Sequence, residues 1–125
     1  MADNLEIVRA FIASWASRDL ETILAQLTED CFYHNMPWVP QIGHAEIRAA
    51  LEPFMAGASE IDWALHNIAE SVDGVVLTER TDRFLIREQW LEVPVMGVFE
   101  LRDGKIAAWR DYFDSALVAT AMAGG

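Results

Sequence analysis

The sequence is poor in cysteine and in basic residues, and both shortages exclude classes of protein. Cys31 is the one cysteine, so no intramolecular disulfide can form, and we expect a reducing compartment. Lys and Arg together number 9 against 20 Asp and Glu, a formal net charge of −11. This balance argues against a nucleic-acid binder, which needs cations for phosphate contacts, and against docking on an anionic membrane.

The sequence also lacks long apolar runs. None approaches the roughly 18–20 residues of a membrane span. The first residues are acidic, at Asp3 and Glu6, where a signal peptide would be basic. We therefore expect a soluble, cytoplasmic protein.

The length of 125 residues indicates one domain over residues 1–125, because no linker, repeat or low-complexity tract interrupts the chain. Residues 123–125 are expected to form a loose end. Apolar residues recur at helical spacing in three segments of the first half: residues 5–15, 20–27 and 47–55. Asp3 and Asp19 are suitable N-caps for the first two helices. A short strand-like run, residues 31–35, and a loop bounded by prolines lie between the second and third helices.

The second half changes to the period of β-strands. Four runs are typical of strands: residues 61–68, 75–85, 91–101 and 105–113. Asp73-Gly74 and Asp103-Gly104 are hairpin signals between them, and a short helix over 115–122 is expected to begin at Asp114 or Ser115. The order predicts an α+β fold: a curved mixed or antiparallel sheet packed against the N-terminal helices, forming a cone with an apolar pocket.

Charge occurs inside the second of these strands. A period of two places Arg80 and Asp82 on one face that begins with Val76 and ends with Phe84. Either this face is buried and the pair is functional, or the pair is a solvated ion pair on an exposed face. Charged residues also lie on the opposite face, so alternation alone does not decide between the two.

Two further segments carry candidate site residues. In the last strand Asp111 shares a face with Trp109 and Phe113, a costly place for a carboxylate unless it is paired or lies at a frayed strand end. In the first strand-like run Tyr33 and Asn35 share a face, and a phenol and an amide together can hold a water molecule. Ordinary roles at a sheet edge and a strand end are the alternative for those two.

The remaining candidates are weaker. His34, His44 and His66 show no paired spacing with each other or with Cys31, so no metal site is expected. Cys31 itself is expected to be a small buried side chain.

Four motifs together resemble the limonene-1,2-epoxide hydrolase family. In chain order they are Tyr33-x-Asn35-Met36-Pro37, Thr78-Glu79-Arg80-x-Asp82, Gly97-Val98-Phe99 and Gly104-Lys105-Ile106-x-x-Trp109-Arg110-Asp111-Tyr112-Phe113-Asp114. The resemblance implies a nuclear-transport-factor-like (SnoaL-like) cone, usually a homodimer, that hydrolyses an epoxide to a vicinal diol without metal or cofactor.

The resemblance also implies roles for five residues. Asp111 corresponds to the general base and Asp82 to the general acid, with Arg80 bridging the two carboxyl groups. Tyr33 and Asn35 correspond to residues that hold the catalytic water. This assignment makes chemical sense, because ring opening needs one ionised and one protonated carboxyl, and an arginine between two buried acids favours one shared negative charge over two. An apolar pocket would select an apolar substrate, and the resemblance implies that this substrate is a small epoxide, cyclic or terpene-like.

Two other functions fit the same cone. Ketosteroid-isomerase-like and polyketide-cyclase-like enzymes use an acid and a base on a carbonyl, although they do not require an arginine between two carboxylates. A non-catalytic small-molecule-binding module is the third possibility. The strand over 91–101 carries more apolar residues than one face can hold, so we expect a homodimer through the sheet.

Overall fold

A computed structural model of the chain describes residues 3–122, and the predicted loose end at 123–125 lies outside them. This range contains the helices α1 (Asn4–Ser14), α2 (Leu20–Ala25), α3 (Gly43–Ala56) and α4 (Ser115–Met122). It also contains the strands β1 (Leu27–Asn35), β2 (Gln41–Ile42), β3 (Glu60–Glu70), β4 (Val76–Ile86), β5 (Gln89–Arg102) and β6 (Lys105–Tyr112). A 3₁₀ turn at Trp15–Ser17 follows α1.

Three helices begin at the predicted capping residues. The Asp3 carboxylate accepts a hydrogen bond from the backbone N–H of Glu6 at 2.8 Å and starts α1. Asp19 does the same for α2 and Asp114 for α4, at 3.1 and 2.9 Å to the N–H two residues on. Each carboxylate takes up a backbone donor that the helix itself leaves free.

The first half differs from prediction in the end of the second helix and in one additional short strand. The second helix ends at Ala25, not at Leu27, and Leu27 is the first residue of β1. The backbone carbonyl of Gln26 accepts a hydrogen bond from the N–H of Ile106. The chain therefore pairs with the sheet from this point, although the helical spacing of apolar residues continues to Leu27. The loop bounded by prolines is followed directly by β2, which no local pattern indicated and which pairs antiparallel with β1.

The second half forms the predicted antiparallel meander, in which β3, β4, β5 and β6 pair in sequence. Both hairpin signals are confirmed. Asp103 and Gly104 have φ values of +54° and +81°, as a two-residue hairpin turn of the mirror-image type requires, and Gly74 has a φ of +83°.

The sheet is mixed because β1 joins it in parallel with β6. The six strands have the order β2-β1-β6-β5-β4-β3. In the parallel pair Tyr33 lies beside Trp109 and Asn35 beside Asp111. The first strand of the chain is thereby placed against the last, which brings together residues that are far apart in the sequence.

The helices cover one face of this curved sheet, and the core lies between them. Trp15 of the 3₁₀ turn, Phe11 of α1 and Trp109 of β6 are almost completely buried there, in edge-to-face contact with one another. The α+β architecture predicted from the sequence is confirmed. No helix in the described part of the chain is both long and apolar enough to cross a membrane.

Candidate active site

Strand β4 turns two of its charged residues, Arg80 and Asp82, inward. Burial alternates along the strand, and Thr78, Arg80 and Asp82 lie on the buried face between Val76 and Phe84. Arg80 is 1% exposed and Asp82 4% exposed. The pair is therefore not a solvated surface ion pair, because this face of the strand is buried.

The Arg80 guanidinium lies between two carboxylates. Its Nε and Nη2 donate to Oδ1 and Oδ2 of Asp82 at 2.9 and 2.8 Å. Its Nη1 and Nη2 donate to Oδ1 and Oδ2 of Asp111 at 3.2 and 2.9 Å. Both contacts are bidentate, the geometry in which the planar guanidinium fork binds a carboxylate most strongly.

Asp111 reaches this cluster from β6, two strands away from Arg80. It is 4% exposed, and Oδ1 also accepts a hydrogen bond from the indole Nε1 of Trp109 at 2.9 Å. The Trp63 ring closes the other side, with its centroid 4.7 Å from the guanidinium carbon of Arg80. The cost of burying a carboxylate among aromatic rings is thus offset by charged and neutral donors.

Tyr33 and Asn35 stand next to this cluster on β1. The amide Nδ2 of Asn35 donates to the Tyr33 hydroxyl oxygen at 2.7 Å, and the Tyr33 ring stacks on Trp109 with centroids 4.2 Å apart. Tyr33, Asn35, Asp82 and Asp111 all line one cavity. The structure therefore brings together all five residues that the sequence singled out.

The cavity has a volume of about 190 Å³ and a wall that is mainly apolar. Arg80 is not part of the wall and lies behind the two carboxylates. The apolar lining comes from the helices, the sheet and the loop before β2: Trp15, Trp38, Val39, Ala50, Leu51, Phe54, Trp63, Phe84, Val93, Val95, Phe113 and Val118.

Burial and neighbouring charges alter the titration of the cluster. Desolvation raises the pKa of Asp82 from 3.8 to about 6, and the Asp111 charge adds to this, although the Arg80 hydrogen bonds and charge act against it. For Arg80 burial alone would lower the pKa, but the two carboxylates outweigh it and raise the pKa. Desolvation also raises the pKa of Tyr33, which stays a neutral phenol.

The weaker candidates have structural contacts. His34 bonds the carbonyl oxygen of Trp38, His44 that of Leu27, and His66 the Thr81 hydroxyl. Cys31 is fully buried, and desolvation raises the pKa of its thiol to about 12. Within residues 3–122, no group of three or more His, Cys, Asp or Glu side chains is placed to hold a metal ion.

Sequence reasoning missed four contacts of the cluster. Trp109 lies two residues before Asp111, and Thr78 lies two residues before Arg80, so the strand period places each on the same face as its neighbour. The period does not show that the Trp109 indole donates to Asp111 or that the Thr78 hydroxyl accepts from Arg80. Trp63 and Gly97 lie on neighbouring strands, and only the register of the sheet brings them to Arg80.

Comparison with known proteins identifies the family of the chain. The family model of the limonene-1,2-epoxide hydrolase catalytic domain matches residues 2–123. The chain is 38% identical over 113 residues to the epoxide hydrolase EphG of Mycobacterium tuberculosis, a match that covers 86% of this chain and 70% of that protein.

Solved structures show the same relationship. An M. tuberculosis LEH-like epoxide hydrolase has a TM-score of 0.78 at 33% identity, over 98% of this chain and 90% of that one. A Shewanella putrefaciens structure described as a SnoaL-like polyketide cyclase has a TM-score of 0.83 over 100% of this chain and 99% of that one. At 13% identity it shows the shared fold alone. The chain belongs to the limonene-1,2-epoxide hydrolase family and is an epoxide hydrolase.

Proposed function

We propose that the protein hydrolyses a small apolar epoxide, cyclic or terpene-like, by direct attack of water. One observation carries the mechanism: Arg80 binds two buried carboxylates at once, and both carboxylates face the same cavity. A guanidinium between two acids favours a state with one proton shared by the pair. Such a pair can take a proton and give one in the same step.

Asp82 is the proton donor in this proposal and Asp111 the acceptor. The raised pKa of Asp82 supports its role as the acid, since a protonated carboxyl is needed at the epoxide oxygen. Water attacks a ring carbon, the bond from that carbon to the ring oxygen breaks, and the water proton passes to Asp111. The proton of Asp82 goes to the released oxygen, which completes the diol. One proton remains on the pair, and its return from Asp111 to Asp82 restores the starting state.

Tyr33 and Asn35 hold the attacking water in this mechanism. Their mutual hydrogen bond uses an Asn35 amide N–H as donor and the Tyr33 oxygen as acceptor. The Tyr33 hydroxyl proton and the Asn35 Oδ1 are the groups that we assign to the water. A carboxylate that attacked the epoxide itself would need neither group, so the pair favours direct attack by water.

The cavity wall supports an apolar substrate. Apart from the site residues and Gln41, the lining is aromatic or aliphatic, and such a wall offers an epoxide dispersion contacts but few alternative polar partners. The epoxide oxygen then has Asp82 as its strongest polar partner, which fixes the orientation of the ring.

We also propose a homodimer through the outer face of the sheet. Leu77, Met96 and Tyr112 are each 41–53% exposed on that face. Leu77 is paired with Val98 and Met96 with Tyr112, so these side chains lie on adjacent strands. A second copy would cover them.

The mechanism is tested by one turnover in ¹⁸O-labelled water with enzyme in excess over an epoxide. We expect the first diol to carry the label, because water attacks carbon directly. Unlabelled diol in the first turnover, with label later in an aspartate, would show a covalent ester and contradict the proposal. Asp111→Asn should abolish turnover, whereas Asp103→Asn, in the exposed β5–β6 hairpin, should leave it unchanged.

A further inference from the structure

The hydrogen bonds of Arg80 account for every donor that its side chain has. A guanidinium carries five N–H groups. Four of them are taken by the two carboxylates, as described above. The fifth, on Nη1, donates to the hydroxyl oxygen of Thr78 at 3.1 Å. The hydroxyl itself lies 3.5 Å from the carbonyl oxygen of Gly97, which is the acceptor for its proton.

Within the described residues Thr78 therefore supplies the one neutral acceptor that hydrogen-bonds the guanidinium, and it is as deeply buried as Arg80, at 1% exposed. A buried N–H without an acceptor is costly, more so on a charged group. Thr78 removes that cost at the Nη1 end, the same end that reaches Asp111. Thr78 lies two residues before Arg80 on the same inward face of β4, so its hydroxyl lies next to the guanidinium.

Gly97 provides the space through which Arg80 reaches Asp111. It lies on β5, directly between Thr78 on β4 and Asp111 on β6. A Cβ atom at this position would overlap Nη1 of Arg80 and lie 2.7 Å from Oδ1 of Asp111 and 2.8 Å from Oγ1 of Thr78. Those are distances that real Cβ atoms essentially never show. The backbone of Gly97 has an ordinary φ, so a side chain is excluded by the neighbouring atoms and not by backbone strain.

We propose that Thr78 and Gly97 are positioning residues of the hydrolase, which hold Arg80 in contact with both carboxylates. Gly97, because it has no side chain, leaves space above β5 for the guanidinium of Arg80. Thr78 holds the Nη1 end of that guanidinium by a hydrogen bond. Neither residue lines the cavity, so neither is assigned a contact with the substrate. This inference rests on the proposed role of the Asp82–Arg80–Asp111 cluster.

The role of Thr78 predicts which kinetic constant changes. Thr78→Val keeps the shape of the side chain and removes the acceptor, so the guanidinium loses its fixed position between the carboxylates. We expect kcat to fall about tenfold to a hundredfold, the range in which a displaced catalytic group acts. KM should change little, because the apolar wall is untouched.

Thr78→Ser keeps the hydroxyl and should restore most of kcat. Thr81→Val, on the opposite face of the same strand, removes a hydroxyl that bonds His66 and should behave as wild type. Thermal unfolding of each variant separates loss of positioning from loss of fold. If Thr78→Val does not fold, the kcat of Thr78→Ala is compared with that of Thr78→Ser, which again compares a side chain without a hydroxyl with one that has it. The role of Thr78 would be overturned if kcat fell equally in Thr78→Ser and in the variant without the hydroxyl. It would also be overturned if only KM changed, or if the variant without the hydroxyl kept the wild-type kcat.

Gly97→Ala tests the space. We expect a crystal structure of this variant to show the Arg80 Nη1 to Asp111 Oδ1 contact lengthened from 3.2 Å, with a matching fall in kcat. Gly57→Ala adds the same methyl group at the end of α3, where its nearest neighbours would be 3.5 and 3.7 Å away, and should have no such effect. An unmoved Arg80 in Gly97→Ala would overturn the role of Gly97. Asp111→Asn separates the two proposals: if it stays active, the proposed mechanism fails, whereas inactive Asp111→Asn with fully active Thr78→Val overturns only the positioning role.

Discussion

Arg80 carries a full charge in the interior, and its partners explain why that charge is tolerated. Taking an ion out of water costs several kcal/mol even after relaxation, so an unpaired guanidinium would be strongly destabilising. In the proposed mechanism the two carboxyl groups share one proton, which gives the cluster one negative and one positive charge. This neutral sum and the complete set of hydrogen bonds to Arg80 would offset the burial, and the mechanism uses one carboxyl group as the donor and the other as the acceptor.

The titration of Asp82 predicts how stability depends on pH. Its pKa is about 6 in the folded protein against 3.8 for the free side chain. The folded state therefore holds this proton more tightly than the unfolded state does. The contribution is fully present below roughly pH 4 and is lost as the pH rises through roughly 6. We expect the free energy of unfolding of wild type, relative to Asp82→Asn, to fall across that window.

Chemical denaturation of both proteins at several pH values measures this difference. Asp103→Asn, outside the site, reports the general effect of replacing a carboxyl by an amide. A difference between wild type and Asp82→Asn that stays flat, or that rises with pH, would contradict the raised pKa and with it the choice of Asp82 as the acid.

At the scale of elements, the strand period predicts which candidate residues share a face, whereas their roles were predicted from the resemblance to the family. Arg80 and Asp82 on β4, and Asp111 on β6, follow from counting by two along strands with apolar ends. The interior position of the β4 face could not be decided in this way, because Glu79, Thr81 and Arg83 put charged or polar groups on the other face as well.

The rest depended on pairing between strands, which no single segment encodes. The parallel contact of β1 with β6 places Asn35 beside Asp111, and the register of β5 places Gly97 between Thr78 and Asp111. The end of α2 was misplaced for a similar reason. Leu27 satisfies the helical spacing because it is buried, but it is buried in the sheet.

The β5–β6 hairpin begins the pairing of these two strands, and an irregularity between Glu100 and Leu101 then shifts the register so that Gly97 lies opposite Asp111. The turn of this hairpin makes a prediction at the scale of the element. Gly104 has a φ of +81°, and a Cβ added to it would meet no atom within 4 Å, so Gly104→Ala would be strained by the backbone alone. We expect a loss of about 1–2 kcal/mol in the free energy of unfolding and an unchanged kcat. Denaturant titration and steady-state kinetics measure the two. A fall in kcat without a loss of stability would mean that the turn affects the site directly.

At the scale of the whole molecule, charge and apolar surface act against each other. Each chain has a net charge of −11, which opposes association of two copies. The outer face of β4, β5 and β6 nevertheless exposes Leu77, Met96 and Tyr112 together. Covering these side chains would remove apolar surface from water, which favours association. A dimer through this face should therefore become tighter as salt screens the repulsion.

Sedimentation of the wild-type protein at micromolar concentration should give twice the mass of one chain. Met96→Asp places a charge in the centre of the outer face, where Met96 is 53% exposed and paired with Tyr112, and should give the mass of a single chain. Val72→Asp makes the same substitution at a fully exposed position in the β3–β4 turn and should remain dimeric. Wild type that sediments as a single chain at both low and high salt would refute the dimer. A dimer that survives Met96→Asp would place the interface on another surface, because a buried unpaired carboxylate at the centre of this one would cost more than the contact supplies.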